Sequence, residues 1–330
     1  MKNITVLTVL VIIIGAITTN NSAYCQDTEK ERNYCFSFGM QYGFVHGQAL
    51  EFVYPVRGDT KGELLSELKW DMKPVFYYGA QIDFNRRNLM SGPGFFSSVS
   101  FKAGVPGDSG IMEDRDWLSK ENGNLTHFSS HTNETTEFFW LDAAFGASFP
   151  VKSYLYIIPY LNGSWMHFGF TARDAKIKYA RIKTENPVTY YPIDDNPTEK
   201  SYKGDDIKYI QDWLFIAVGF SIGTKILSPF SFDLSFQISP FTYCAAKDEH
   251  LAREDTFMDY TGWGLFLEPR GSFSFSLEQI DFSLEFTYRY IGRTRGESYT
   301  KHSGGNLSPS GEAGAGLSLT DTRFIVRVRI

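Results

Sequence analysis

The sequence predicts an all-β protein: a ten-stranded antiparallel transmembrane β-barrel with an extracellular extension. Three observations predict it. The chain opens like a secreted polypeptide, and its apolar residues recur at every second position. Ten such segments are joined alternately by short turns and long polar loops.

The leader comes first. Lys2 supplies a positive start, Ile4 to Ile17 is mostly apolar, and small polar residues run from Thr18 to Ser22. Cleavage is expected after Ala23 or Cys25, which makes 1–25 a signal peptide and 26–330 a single domain. A lipid-modified Cys25 is disfavoured by the bulky Tyr24 before it. The apolar run is shorter than the ~20 residues a spanning helix needs, and no later segment reaches that length.

Strands are expected near 36–56, 64–85, 94–112, 134–149, 153–173, 206–225, 230–245, 258–276, 279–294 and 315–330. The alternation is plainest late in the chain. Phe282, Leu284, Phe286, Tyr288 and Tyr290 take one face, against Asp281, Ser283, Glu285, Thr287 and Arg289 on the other. Phe232, Leu234, Phe236 and Ile238 oppose Asp233, Ser235 and Gln237. The last strand sets Phe324, Val326, Val328 and Ile330 against Arg323, Arg327 and Arg329. Large aromatics on one face and buried charges on the other suit a barrel in lipid better than a soluble sandwich. Tyr54, Trp70, Tyr154, Tyr156, Trp165 and Trp213 are candidates for the interfacial girdles. Short turns near 85–88, 149–153, 227–230 and 277–279 should face the periplasm. Long loops near 57–63, 113–133, 174–205, 246–257 and 295–314 should face the exterior.

Composition narrows the functional classes. A formal net charge of −6 leaves no basic excess for nucleic acid. The 29 Phe and 19 Tyr among 330 residues fit outward aromatic faces. The three cysteines, Cys25, Cys35 and Cys244, form no zinc-binding cluster. Cys35 should begin the first strand and Cys244 should end a later one, too far apart to bridge.

Two motifs carry the chemistry, and each is spaced i, i+2, so its pair shares one face of a strand. Asp248 and His250 couple a carboxylate to an imidazole, the parts of a general base and its orienter. Asp114 and Asp116 place two carboxylates together; such a pair resists double ionisation, keeps a proton and can hold a water. On an outer-membrane barrel the two pairs together suggest a protease. Ser129 and His131 invite a serine-nucleophile reading, but no oxyanion-hole signature accompanies them. His46, His127, His167 and His302 have no partner pattern in sequence.

These pieces resemble the omptin family of outer-membrane proteases. Glu113-Asp114-Arg115-Asp116-Trp117 is similar to the family's Asp-x-Asp-Trp segment, and Asp248-Glu249-His250 to its Asp-x-His segment. Ser129-Ser130-His131 resembles its Ser-x-His segment, and Phe170-Thr171-Ala172-Arg173 a strand-end tetrapeptide. Glu51-Phe52-Val53-Tyr54 and Ser66-Glu67-Leu68-Lys69-Trp70 resemble its first hairpin. The resemblance implies a barrel standing tall above the membrane, with catalytic Asp114, Asp116, Asp248 and His250 on opposing groove walls. It implies substrate-binding roles for Glu51, in a pocket selecting Arg or Lys, and for Ser129 and His131 lining the groove. The implied substrates are polypeptides at the cell surface, often cut between basic residues. No metal and no cofactor is expected; a requirement for outer-membrane lipid stays open.

The sequence departs from the family twice. A second pocket acid, two residues before Asp248, is replaced by Ala246. The cluster that grips lipopolysaccharide phosphates is replaced by Gly163, Trp165 and His167. The first departure leaves a second reading, a catalytically weak barrel acting as adhesin or receptor. The charges Asp281, Glu285, Arg289 and Arg327 leave a third, a small porin, against a salt-bridged plug.

Overall fold

The structure is a computed structural model describing residues 34–54, 64–86, 93–118, 123–152, 154–185, 188–227 and 229–330. The expected leader and the loop at 57–63 lie outside the described residues. Its strands are β1 (Tyr34–Tyr54), β2 (Ser66–Arg86), β3 (Gly94–Gly104), β4 (Gly107–Asp116), β5 (His127–Lys152), β6 (Leu155–Tyr179), β7 (Ile182–Glu185), β8 (Val188–Tyr190) and β9 (Thr198–Ser201). There follow β10 (Asp205–Leu227), β11 (Phe230–Ser239), β12 (Thr242–His250), β13 (Asp255–Gly262), β14 (Phe266–Leu277), β15 (Ile280–Ile291), β16 (Arg295–Lys301) and β17 (Ser308–Arg329).

Each neighbour pair is antiparallel, and the ring closes where β1 pairs with both β2 and β17. Four staves of the ring are made of two collinear strands each: β3 with β4, β11 with β12, β13 with β14, and β15 with β16. Counting these as one gives the ten expected strands. Among the described residues this closure pairs each stave on both sides and leaves no open edge. A β7–β8 hairpin and β9, which pairs the far end of β6, rise above the ring.

The alternation sorts side chains as expected. Leu214, Ile216, Val218, Phe220 and Ile222 on β10 are exposed on the outer face, as are Leu284, Phe286 and Tyr288 on β15 and Phe36, Phe38 and Tyr42 on β1. Their inward neighbours Glu285, Thr287 and Arg289 are buried. The outer apolar band spans about ten residues of a strand, enough to cross ~25 Å of hydrocarbon at barrel tilt. The staves continue well past it. Glu51, Asp114 and Asp248 all sit on these upper extensions, several residues beyond the band.

The lumen is filled. Arg289 donates to Glu268 and lies 3.9 Å from the Trp140 ring centre. Lys102 Nζ lies 3.5 Å from the centre of the same Trp140 ring and pairs with Asp321 at 2.8 Å; Tyr77 donates to that carboxylate too. Lower down, Glu285 accepts from Arg323 and Arg327, and Asp281 pairs with Arg329. That lower cluster forms part of the wall of a cavity of about 270 Å³, lined by Glu285, Arg323 and Arg327 together with Asp83, Tyr160 and Asp233, among others.

Several expectations need correction. Tyr54, Trp70 and Trp213 are buried, and Tyr156 donates to Asp233 over the lumen; none is a girdle residue. Tyr154 and Trp165 remain on the outer face. The supposed loops at 113–133, 246–257 and 295–314 are largely strand, because the staves run on into water where alternation no longer needs apolar residues. Cys35 and Cys244 form no disulfide, in keeping with their expected separation.

Candidate active site

The groove at the top of the barrel is built by β2, β4 and β5 on one wall and β10, β12 and β13 on the other. On β4, Asp114 lies opposite Leu68 of β2 and Ser129 of β5, while Asp116 lies opposite Ser66 and His127. Ser66 donates to Asp114 at 3.0 Å. Burial and the neighbouring Asp116 charge push Asp114 up to about 7, against that hydrogen bond. Burial also raises Asp116, partly offset by Ser66, His127, Arg253 and His250.

On the facing wall, β12 sets Asp248 against Tyr209 of β10 and Phe257 of β13, and His250 against Ile207 and Asp255. Asp248 is buried and contacts His250 Nε2 at 2.7 Å; that nitrogen donates and the carboxylate accepts. Nδ1 of the same ring faces Arg253, whose guanidinium stands 2.7 Å away. Burial lowers the basicity of His250, but the hydrogen bond and charge of Asp248 outweigh it, and the ring ends above its ordinary value. The charges of Asp114 and His250 act on one another across the gap, as do those of Asp116 and His250.

Ser129 and His131 stand beside the carboxylate pair. Ser129 Oγ is 2.8 Å from His131 Nε2, and His131 Nδ1 is 3.7 Å from Asp206 of β10. Burial lowers His131, and Asp206 only partly restores it. The floor is aromatic: Trp70 stacks on Tyr209 at 5.1 Å and on Phe170 at 5.6 Å. Glu51, on β1, is buried among carboxylates, with burial, then Asp248, Asp259 and Asp114, raising its pKa well above normal. Across the groove the His250 imidazole, aligned by Asp248, thus faces a pair of acids whose affinity for a proton is raised. Such an arrangement can take a proton from water on one side and donate one on the other.

The sequence pattern of the omptin family matches residues 32–328. The chain belongs to the omptin family. It is 22% identical to the plasminogen activator of Yersinia pestis over 332 aligned positions, covering 96% of this chain and 95% of that protein. Its fold is similar to the crystal structure of the outer membrane protease OmpT from Escherichia coli, with a TM-score of 0.76 and 16% identity over 90% of this chain and 97% of that one. This omptin is accordingly an outer-membrane protease whose groove opens to the cell exterior.

All seven residues singled out from the sequence sit in this omptin's groove region. Four others do so without having been found. Asp206, Arg253 and Asp259 carry no local motif, and His127 meets Asp116 only through the β4–β5 register. The outer face keeps the second departure from the family. Where the phosphate-gripping cluster is expected, His167 lies 2.9 Å from both Asp212 and Glu137, and Trp165 donates to Asp212.

Proposed function

We propose that this omptin hydrolyses peptide bonds with a water activated by His250 and Asp248, facing the Asp114–Asp116 pair. The water sits between Asp114 and His250. As its oxygen attacks the scissile carbonyl carbon, its proton passes to His250 Nδ1, the nitrogen left with a lone pair when Nε2 donates to Asp248. The proton held by the Asp114–Asp116 pair stabilises the tetrahedral oxyanion. When the C–N bond breaks, His250 returns its proton to the leaving amine. Arg253 is long and exposed, and swings from Nδ1 as substrate enters. Ser129 and His131 border the oxyanion side and position substrate, and Glu51 receives a basic side chain. No metal takes part.

The observation that carries this reading is the 2.7 Å Asp248–His250 contact, set opposite a carboxylate pair in which burial and the Asp116 charge raise Asp114 to about 7. The test is cleavage of an unstructured peptide by the refolded barrel. His250→Ala, Asp114→Ala and Asp116→Ala should each lower the rate by about 10²- to 10⁴-fold, the usual worth of one acid–base group. Each variant should still migrate as a folded barrel on an unheated gel, and EDTA should leave the wild-type rate unchanged. Full activity in His250→Ala overturns the mechanism; loss in EDTA with recovery on adding zinc or calcium points to a metal instead.

A further inference from the structure

Arg253 lies in the turn 251–254 between β12 and β13, three residues after His250. The turn is pinned. Leu251 N–H donates to the Asp206 carbonyl at 2.8 Å, Arg253 N–H donates to the His250 carbonyl at 3.3 Å, and Ser303 donates to Glu254. The backbone under Arg253 is therefore held, and the side chain is the part free to move.

That side chain is 59% exposed, yet it bends back onto the groove. Nη2 donates to His250 Nδ1 at 2.7 Å, and Nε stands 3.8 Å from Asp255 Oδ2. The other Asp255 oxygen is engaged by His302 at 2.7 Å. Nη1 meets no acceptor among the described residues. The Arg253 charge acts on His250 from one wall and on Asp116 from the other, which sets the guanidinium at the gap between them.

The contact has two chemical consequences. In the mechanism above, Nδ1 takes the proton of the attacking water and returns it to the leaving amine. A guanidinium seated on Nδ1 blocks both transfers. A neutral imidazole also offers a guanidinium only one lone pair. A carboxylate offers an opposite charge and two oxygens at the spacing of the Nη1–Nη2 fork. The exchange from imidazole to carboxylate is downhill, and it clears the base.

We propose that Arg253 is a specificity-determining residue that recognises an aspartate or glutamate of the substrate on the leaving-amine side of the scissile bond, and that its transfer from His250 to this carboxylate uncovers the base. The inference rests on the peptidase reading and adds a charge preference to it. The leaving-amine side follows from Nδ1, the atom that must face that amine. Until a carboxylate arrives, Arg253 caps the resting site.

The experiment uses peptides with arginine before the scissile bond, and with glutamate or its neutral isostere glutamine at the first or second residue after it. Wild type should show a kcat/KM about 3- to 30-fold higher for glutamate at one of these positions, the worth of a partly exposed hydrogen bond between charges. Arg253→Ala should bring the glutamate-to-glutamine ratio to one or below. Arg253→Lys keeps the charge but loses the fork, and should keep part of the preference. Each ratio is taken within one variant, so a change in His250 basicity cancels. With the cap gone, Arg253→Ala should also cut the glutamine peptides faster than wild type at a pH above both acid limbs. A ratio that Arg253→Ala leaves unchanged at both positions overturns the proposal, as does slower cutting of the glutamine peptides. Binding is read separately by fluorescence anisotropy in the Asp114→Ala background, where His250 is intact, with and without Arg253→Ala. If wild type cleaves none of the peptides, the peptidase reading fails, and the anisotropy ratio alone still decides whether Arg253 recognises the carboxylate.

Discussion

At His250 two contacts of 2.7 Å pull in opposite directions. Asp248 at Nε2 favours the protonated ring, while the Arg253 guanidinium at Nδ1 opposes it. Burial opposes it most, and Asp248 outweighs both. A base must be neutral to act, so a ring held above its ordinary value loses activity as pH falls through that raised value. Asp248→Asn removes the acidic partner and should move the acid limb of the kcat/KM profile to lower pH, with a lower plateau. Arg253→Ala removes a repelling charge and should move the same limb to higher pH. Opposite shifts confirm the ring as the titrating base; a limb that stays put in both variants assigns it elsewhere. On the proposed mechanism the carboxylate pair must keep one proton and so sets the alkaline limb; burial and the Asp116 charge raise Asp114 to about 7. What was legible at this scale follows from spacing. Asp114 with Asp116, and Asp248 with His250, lie two apart in one strand, so sequence alone puts each pair on one face. Asp259, Asp206 and His127 reach the groove through register between strands distant in sequence, and Arg253 through a turn. No local pattern encodes those meetings.

The staves break at one level, and the breaks show how a strand passes from lipid to water. Pro106 and Pro240 stand at two of the four, where a missing N–H ends a ladder. Gly264 and Gly292 mark the others; a Cβ on Gly264 would lie 2.6 Å from the Gly292 carbonyl. Threonine hydroxyls repair the lost backbone bonds. Thr242 Oγ1 donates to Gly264 O and accepts from its N–H; Thr294 Oγ1 does the same for Ala315. Thr294→Val keeps the shape but orphans the buried Ala315 N–H, a loss of about 1–3 kcal/mol. Gly264→Ala overpacks a closed junction at a similar cost of about 1–3 kcal/mol. Both should lower the temperature at which the folded band vanishes from an unheated-gel series, and Thr294→Ser should restore most of it. A Thr294→Val barrel as heat-resistant as wild type would show that the hydroxyl contributes nothing. Strand number and facing were readable because alternation is forced wherever lipid meets one side and the lumen the other. The upper halves were read as loops because both of their faces are polar: β12, for example, ends in Lys247-Asp248-Glu249-His250. Four of the supposed girdle aromatics were misplaced for a related reason, the buried Tyr54 among them. Trp70, Trp213 and Tyr156 point into the barrel, and residue type alone does not say which face a tryptophan or tyrosine takes.

Across the whole molecule, chemistry is confined to one end because the cylinder is stoppered in the middle. At eight strands side chains alone fill a barrel, and at sixteen a water channel opens; ten strands lie near the filled limit. The filling here is ionic and aromatic. Arg289 and Glu268 are buried together, Arg289 and Lys102 both pack on Trp140, and Lys102 reaches Asp321. Each charge meets an opposite one, which is what makes its burial tolerable; removing a single partner would leave a lone buried charge at a cost of about 3–5 kcal/mol. This arrangement stands between the groove and the 270 Å³ cavity on the periplasmic side, so substrate enters from above. It also disfavours the porin reading. In a planar bilayer the wild-type barrel should show no discrete conductance steps. The triple variant Arg289→Ala, Glu268→Gln, Trp140→Ala removes the stopper, leaves its former partners Arg270 and Asp142 on the wall of the cavity, and should give steps that scale with salt concentration. Peptide cleavage should survive in it, since the groove walls are held by β2, β4, β10 and β12 above the gap. Steps of equal size in wild type would mean the stopper does not close the barrel. Loss of cleavage in a folded triple variant would mean the plug also holds the groove in shape.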